Sequence, residues 1–291
     1  MKTLTNLYNE SLSPIKYCVD LSNDSQRLLS VYNAYNERSE NVLNEVVKDK
    51  IKIDGVFEQQ LMDIKSQRDF GKYLFFDEEK KGRLLEMAIL KTCFWENGKI
   101  LKIRFLDGSE SIWKKVIQYA RIWEEHANIH FDFVQNGNAE IRISFQSNMG
   151  SWSYVGTDNL NITDQSQPTM NFGWFDSSTP EEEFSRTILH EFGHALGCIH
   201  EHQSPAIALD WNKPKVYEEM KKSQNWSKEQ VDHNVFKKYD AGIITNSVYD
   251  PTSIMHYPYP KEFFLSGNET PWNTELSKTD IEFISSKYPK G

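Results

Sequence analysis

Residues 190–201 read HEFGHALGCIHE, and this string constrains the fold more than any other part of the chain because it demands a helix, a sharp reversal and a return. On a helix, His190 and His194 stand four residues apart, about 40° around the axis, so both imidazoles leave one face. Glu191, beside the first of them, is placed to take a proton from a water held at a metal on that pair. Gly197 follows three residues after His194, where a left-handed residue ends a helix without a Cβ penalty. His200 then returns as a third ligand. The spacing therefore predicts a Zn²⁺ site on His190, His194 and His200, with Glu191 as general base.

A bare HExxH arises by chance in a chain of this composition at roughly 2%. Adding Gly197 and His200 at fixed offsets lowers that to the order of 10⁻⁵. A purely structural zinc favours four protein ligands with Cys prominent, whereas three histidines leave a position open for water. Downstream, Asp250-Pro251-Thr252 reads as a turn leading into Ser253-Ile254-Met255-His256-Tyr257. A methionine turn beneath the zinc histidines accompanies this longer motif, and an unbranched thioether suits packing under an imidazole cluster. Met255 is the candidate. His202 and His256 are read as polar neighbours, because a fourth His would close the open coordination position.

Taken together, HExxHxxGxxH, the glutamate directly after the third histidine and S-x-M-H-Y downstream resemble the astacin family of zinc metallopeptidases within the metzincins. The resemblance spans roughly residues 89 to 291. It implies an α+β catalytic domain: a twisted mixed sheet, a zinc-binding helix and a helical C-terminal subdomain. It assigns Glu201 and Met255 to structural support. It assigns Tyr257 to the catalytic machinery, as an accessory to the metal that swings away to stabilise the transition state. In such proteins the strand preceding the zinc helix edges the cleft, which makes Asn171, Phe172 and Gly173 candidates for pairing with an extended peptide. The alternative is an edge kept inert by loops. Animal members carry disulfides and usually an aromatic between the glycine and the third histidine. Here Cys198 holds that position and the whole chain has three cysteines, so a disulfide framework is not expected and Cys198 reads as a small buried filler.

The remainder of the chain suits one catalytic domain with an added segment. At 291 residues, 38% of them hydrophobic, it can bury a sizeable core. A net charge of −9 and the lack of a basic stripe argue against a nucleic-acid partner. No run of 18 apolar residues is present and MKTLTNLYNESLSPIKY lacks an apolar h-region, so neither a membrane span nor a signal peptide is expected. That points to a cytoplasmic protein or one exported by a leaderless route, working as a monomer.

Residues 1–88 are expected to form a helical extension or propeptide-like segment, with an amphipathic pattern through Leu28, Leu29, Tyr32, Tyr35, Val42, Leu43, Val46 and Val47. Family propeptides often block zinc with an F-x-G-D motif, which this chain lacks. Cys18 is a candidate thiolate latch, the alternative being a buried structural cysteine.

From residue 89 the pattern predicts a catalytic domain. Leu101, Ile103 and Phe105 alternate before Asp107-Gly108, giving a strand. Trp113, Val116, Ile117, Ala120, Trp123 and Ala127 recur at helical spacing, giving a helix laid across a sheet. Strands follow at Ile129 to Val134 and Ile141 to Phe145, with the hairpin-type turn Asn136-Gly137 between them. GSWSYVGTD reads as a loop and Thr169 to Trp174 as a strand. Thr179 is expected to cap the zinc helix, with Pro180 at its first position and Glu182 completing a capping box. Further capping boxes are read at Ser227/Gln230 and Ser277/Asp280, the latter opening a final helix. Residues 261 to 276 suit a cleft-lining loop.

The function expected from these residues is zinc-dependent hydrolysis of peptide bonds in a peptide or protein. The alternatives are a zinc hydrolase acting on a non-protein amide such as a cell-wall peptide, or a zinc-containing binding protein without turnover. An intact Glu191 argues against the last, since a binding module does not need the base.

Overall fold

A computed structural model describes residues 93–147, 149–204, 207–238 and 249–291. The expectations for residues 1–88, Cys18 among them, lie outside the described residues. Strands β1 (Ile100–Phe105), β2 (His130–Phe133), β3 (Ile141–Ser144), β4 (Ser151–Ser153) and β5 (Met170–Phe172) form one sheet in the order β2-β1-β3-β5-β4. All neighbours are parallel except β4, which runs antiparallel to β5. The helices are α1 (Glu110–His126), α2 (Glu181–Ala195), α3 (Lys213–Gln224), α4 (Lys228–Val231) and α5 (Lys278–Lys287). This is the mixed-sheet α+β arrangement that the sequence predicts.

The period-2 pattern of β1 explains its seat: Leu101 and Ile103 are fully buried while Ile100 and Lys102 face outward. Parallel pairing needs a crossover, and α1 supplies it between β1 and β2. Its buried stripe is Ile112, Val116, Ala120 and Trp123, which meets α2. The Trp123 indole donates to the Leu189 carbonyl at 3.1 Å, fixing α2 against α1. A second apolar cluster, holding Val216, Met220, Val235, Tyr257, Tyr259 and Phe263, packs the C-terminal half. No described helix is long and apolar enough to cross a membrane.

Three expectations are corrected. The strands around residues 130 and 141 do not form a hairpin. Gly137 does turn the chain, at φ +89°, but β1 lies between β2 and β3 and pairs with both. A turn signal marks a reversal, whereas partner choice is settled by which strand is central. Second, the predicted loop GSWSYVGTD contains β4, and β4, not β5, forms that edge of the sheet. Third, the zinc helix lacks the predicted capping box: Pro180 is its N-cap, with no side-chain cap bond. Thr179 Oγ1 instead accepts from the Asp176 amide at 2.9 Å, closing the turn before the helix. Glu181, Glu182 and Glu183 in the first turn still oppose the helix dipole. The boxes at Ser227/Gln230 and Ser277/Asp280 form as predicted.

Candidate metal centre

α2 carries His190 and His194 on its buried face, with Glu191 1% exposed between them. The helix closes in a two-bond motif: Cys198 N–H donates to the Gly193 carbonyl at 2.9 Å and Gly197 N–H to the His194 carbonyl at 2.8 Å. Gly197 takes φ +101°, and a Cβ there would also press on the Phe94 ring. The reversal predicted at Gly197 is therefore present, and it swings His200 back beside the helix. His190, His194 and His200, all buried, offer ligand atoms within 4.8 Å of one another.

Hydrogen bonds around the rings decide which nitrogen faces inward. His190 Nδ1 donates to the Ile254 carbonyl at 2.8 Å, His194 Nδ1 to the Cys198 carbonyl at 2.8 Å, and His200 Nδ1 to Gln203 Oε1 at 3.0 Å. Each ring nitrogen that donates outward leaves a lone pair on Nε2. The Nε2 atoms of His194 and His200 lie 3.0 Å apart, and two lone pairs at that distance repel each other without a cation. Burial, reinforced by the neighbouring imidazoles His194 and His200, holds His190 well below its ordinary range, which keeps it in the neutral, metal-binding form. Three histidine nitrogen donors, one short of a closed tetrahedral shell, match Zn²⁺ in a catalytic site.

The Ser253–Tyr257 segment closes the centre from below. A Cβ on Gly193 would collide with Met255 Sδ, so the glycine inside HEFGH is what lets the thioether lie under the helix. Asp280 on α5 accepts from Ser253 Oγ at 2.6 Å and from the Ile254 amide at 2.8 Å. Ile254 thus gives its N–H to Asp280 and its carbonyl to His190. Burial raises the Asp280 carboxyl against these bonds. Glu201 joins the third-histidine turn to the same segment: its amide donates to the Met255 carbonyl at 3.0 Å, and its Oε1 accepts from Asp250 N–H at 3.1 Å. Burial pushes its carboxyl up to about 7.

The Tyr257 hydroxyl stands 2.7 Å from His200 Nε2, beside the ring cluster. His202 and His256 stand outside the three-histidine group. His202 is fully buried, with Nε2 donating to the Asn234 carbonyl at 3.0 Å and its ring 5.3 Å from that of His200, so it is an interior neighbour of His200. Cys198 is a buried free thiol whose thiol burial raises further. What the centre uses from it is its main-chain carbonyl.

Asn171, Phe172 and Gly173 are not on an edge. β5 is paired on both sides, and Asn171 and Phe172 are fully buried. The Asn171 side chain ties the preceding loop to the sheet, accepting from Gln146 N–H at 2.9 Å and donating to the Gly150 carbonyl at 2.6 Å. A Cβ on Gly173 would meet that same carbonyl. Local patterning gave the strand but not its neighbours. Two supporting residues escaped the sequence reading: Asp280, recognised only as a helix cap, and Gln203, whose one available signal was its place three residues after His200.

A family model described as Astacin, a peptidase family, matches residues 88–278. The chain is 30% identical over 189 residues to protein SpAN of Strongylocentrotus purpuratus, covering 62% of this chain and 27% of that one. It is 27% identical over 184 residues to zinc metalloproteinase nas-38 of Caenorhabditis elegans, covering 60% and 21%. The matched stretch thus spans about a quarter of each of these relatives. Among solved structures, one of myroilysin matches with TM-score 0.68 and 43% identity, covering 69% of this chain and 98% of that one. A crystal structure of myroilysin matches with TM-score 0.55 and 44% identity, covering 68% and 86%.

Proposed function

Because the chain belongs to the astacin family of zinc peptidases, we propose that it is an endopeptidase in which His190, His194 and His200 hold zinc, Glu191 is the general base and Tyr257 serves the transition state. The observation that carries this reading is the convergence of three buried imidazoles, each with an outward Nδ1 bond, beside Glu191 and Tyr257. When bound, Zn²⁺ supplies a Lewis acid that brings the pKa of water towards about 7 and polarises the scissile carbonyl. Glu191 takes the proton of the attacking water and delivers it to the leaving amine nitrogen. The Tyr257 hydroxyl donates a hydrogen bond to the oxyanion as charge develops there.

The peptide is assigned to the outer side of β4. Hydrogen bonds at Gly173/Gly150 and Tyr154/Thr169 set the ladder with β5. Alternation in an antiparallel pair then turns the main-chain groups of Ser151 and Ser153 away from β5, on a strand whose own residues are buried. No described strand pairs with that side, and main-chain pairing binds an extended peptide without demanding a sequence.

The test compares Glu191→Gln with the parent on casein, a peptide library and cell-wall peptides. The variant is expected to bind zinc like the parent while turnover falls by at least about 100-fold. Full activity in Glu191→Gln rejects the assignment, and activity on cell-wall peptides alone redirects it to a non-protein amide.

A further inference from the structure

We propose that Gln203 is a positioning residue of the metal centre, holding His200 in the one tautomer and ring orientation that presents Nε2 to zinc. The inference rests on the reading of His200 as a zinc ligand. His190 and His194 donate to main-chain carbonyls, those of Ile254 and Cys198. These acceptors are fixed by the backbone and come with the fold. The Nδ1 acceptor of His200 is instead a side chain, Gln203 Oε1 at 3.0 Å.

An amide can present either end, so something must orient it. Gln203 Nε2 lies 3.2 Å from the His233 carbonyl, an atom that only accepts. The NH₂ end must therefore face His233, and the oxygen must face His200. With an acceptor on that side, His200 carries its proton on Nδ1, and Nε2 keeps the lone pair directed at the centre. Gln203 is fully buried, which favours the protein acceptor over water at this position.

The anchor is itself held. Residues Asp232–Phe236 form a π-type turn directly after α4. Carbonyls in the last turn of a helical segment lack partners within it. Here the His233 carbonyl takes Gln203 Nε2 and the Asn234 carbonyl takes His202 Nε2 at 3.0 Å. Asn234 Nδ2 in turn donates to the Gln230 carbonyl at 2.8 Å. A segment that contributes no zinc ligand thus sets the state of one ligand through a single amide.

Two substitutions in the full-length chain test this. Gln203→Met keeps the volume and removes the acceptor. Gln203→Glu keeps an acceptor for His200 Nδ1 but loses the bond to His233. Zinc affinity is read by competition with a chromophoric chelator, and the visible spectrum of the Co²⁺-loaded protein reports the coordination. Outer partners of metal-bound histidines typically contribute about 10- to 100-fold in affinity. Gln203→Met is expected to fall in that range with a changed Co²⁺ spectrum, whereas Gln203→Glu stays within a few-fold of the parent. Parent-like affinity in Gln203→Met overturns the proposal. So does equal weakening in both variants, which would mean that Gln203 merely pins the turn to the π segment. If Gln203→Met does not fold by circular dichroism, folded Gln203→Glu decides alone, and a large loss of affinity there overturns it. Undiminished zinc binding by His200→Ala would instead sink the underlying ligand assignment.

Discussion

Removing one oxygen from Tyr257 separates packing from chemistry at this centre. The ring is 1% exposed and belongs to the C-terminal apolar cluster, so Tyr257→Phe keeps the contacts and deletes only the hydroxyl that faces His200 at 2.7 Å. A donor aimed at a developing oxyanion is worth about 100- to 1000-fold in kcat, and its loss leaves substrate binding and zinc binding nearly intact. We therefore expect kcat to drop by that order in steady-state kinetics while KM and zinc affinity stay within a few-fold. A kcat within about threefold of the parent would leave Tyr257 as a packing residue. At this scale the sequence was most readable. The three histidines, Gly197 and Met255 are set by covalent spacing along one short string and one turn. Gln203 and Asp280 were not: the His233 carbonyl that orients the Gln203 amide is 30 residues away and the Met-turn partners of Asp280 are 26 or 27 away, and single-chain spacing carries no information about which distant atoms meet.

Elements were legible in type and less so in partnership. β1, α1 and α5 follow from apolar period and capping chemistry, both local. The order of strands does not: β3 pairs with β1 and β5, and β4 forms the edge, because parallel pairing is decided by crossovers and by burial on both faces. Peptide binding tests the corrected edge. Proline at Ser153 removes an outward N–H while leaving the ladder residues Gly150 and Tyr154 alone. One main-chain hydrogen bond is worth about 0.5–1.5 kcal/mol, so Ser153→Pro is expected to raise KM up to about tenfold at unchanged zinc affinity. An unchanged KM would place the substrate elsewhere. The link from α5 to the Met-turn segment is testable too. Asp280→Ala strips acceptors from Ser253 Oγ, Ile254 N–H and Ser277 N–H and leaves buried donors unsatisfied. We expect a loss of about 2–3 kcal/mol in urea unfolding together with weaker zinc binding, because Ile254 also orients His190. A loss of stability with parent-like zinc affinity would confine Asp280 to capping α5.

Across the whole molecule, the metal centre lies where the two apolar clusters meet. His190 and His194 stand on a helix whose Leu189 and Phe192 belong to the sheet-side core, as does Met255. His200 contacts Tyr257, which belongs to the C-terminal cluster. A zinc ion on all three imidazoles is therefore a cross-link between the clusters as well as a chemical group. Without it, three buried neutral rings remain crowded, with two Nε2 atoms 3.0 Å apart. A ligand that binds only the folded state stabilises it by RT ln(1 + [L]/Kd), about 4 kcal/mol at a thousandfold excess over Kd. For a domain of this size that corresponds to a Tm change on the order of 10 °C. Removing zinc with a strong chelator should lower Tm by that amount and abolish peptidase activity, and restoring stoichiometric zinc should recover both. Scanning calorimetry at matched protein concentration makes the comparison. Activity lost to the chelator with Tm unmoved would mean that the two clusters hold each other without the ion, and the cross-linking role would fall while the catalytic one stood.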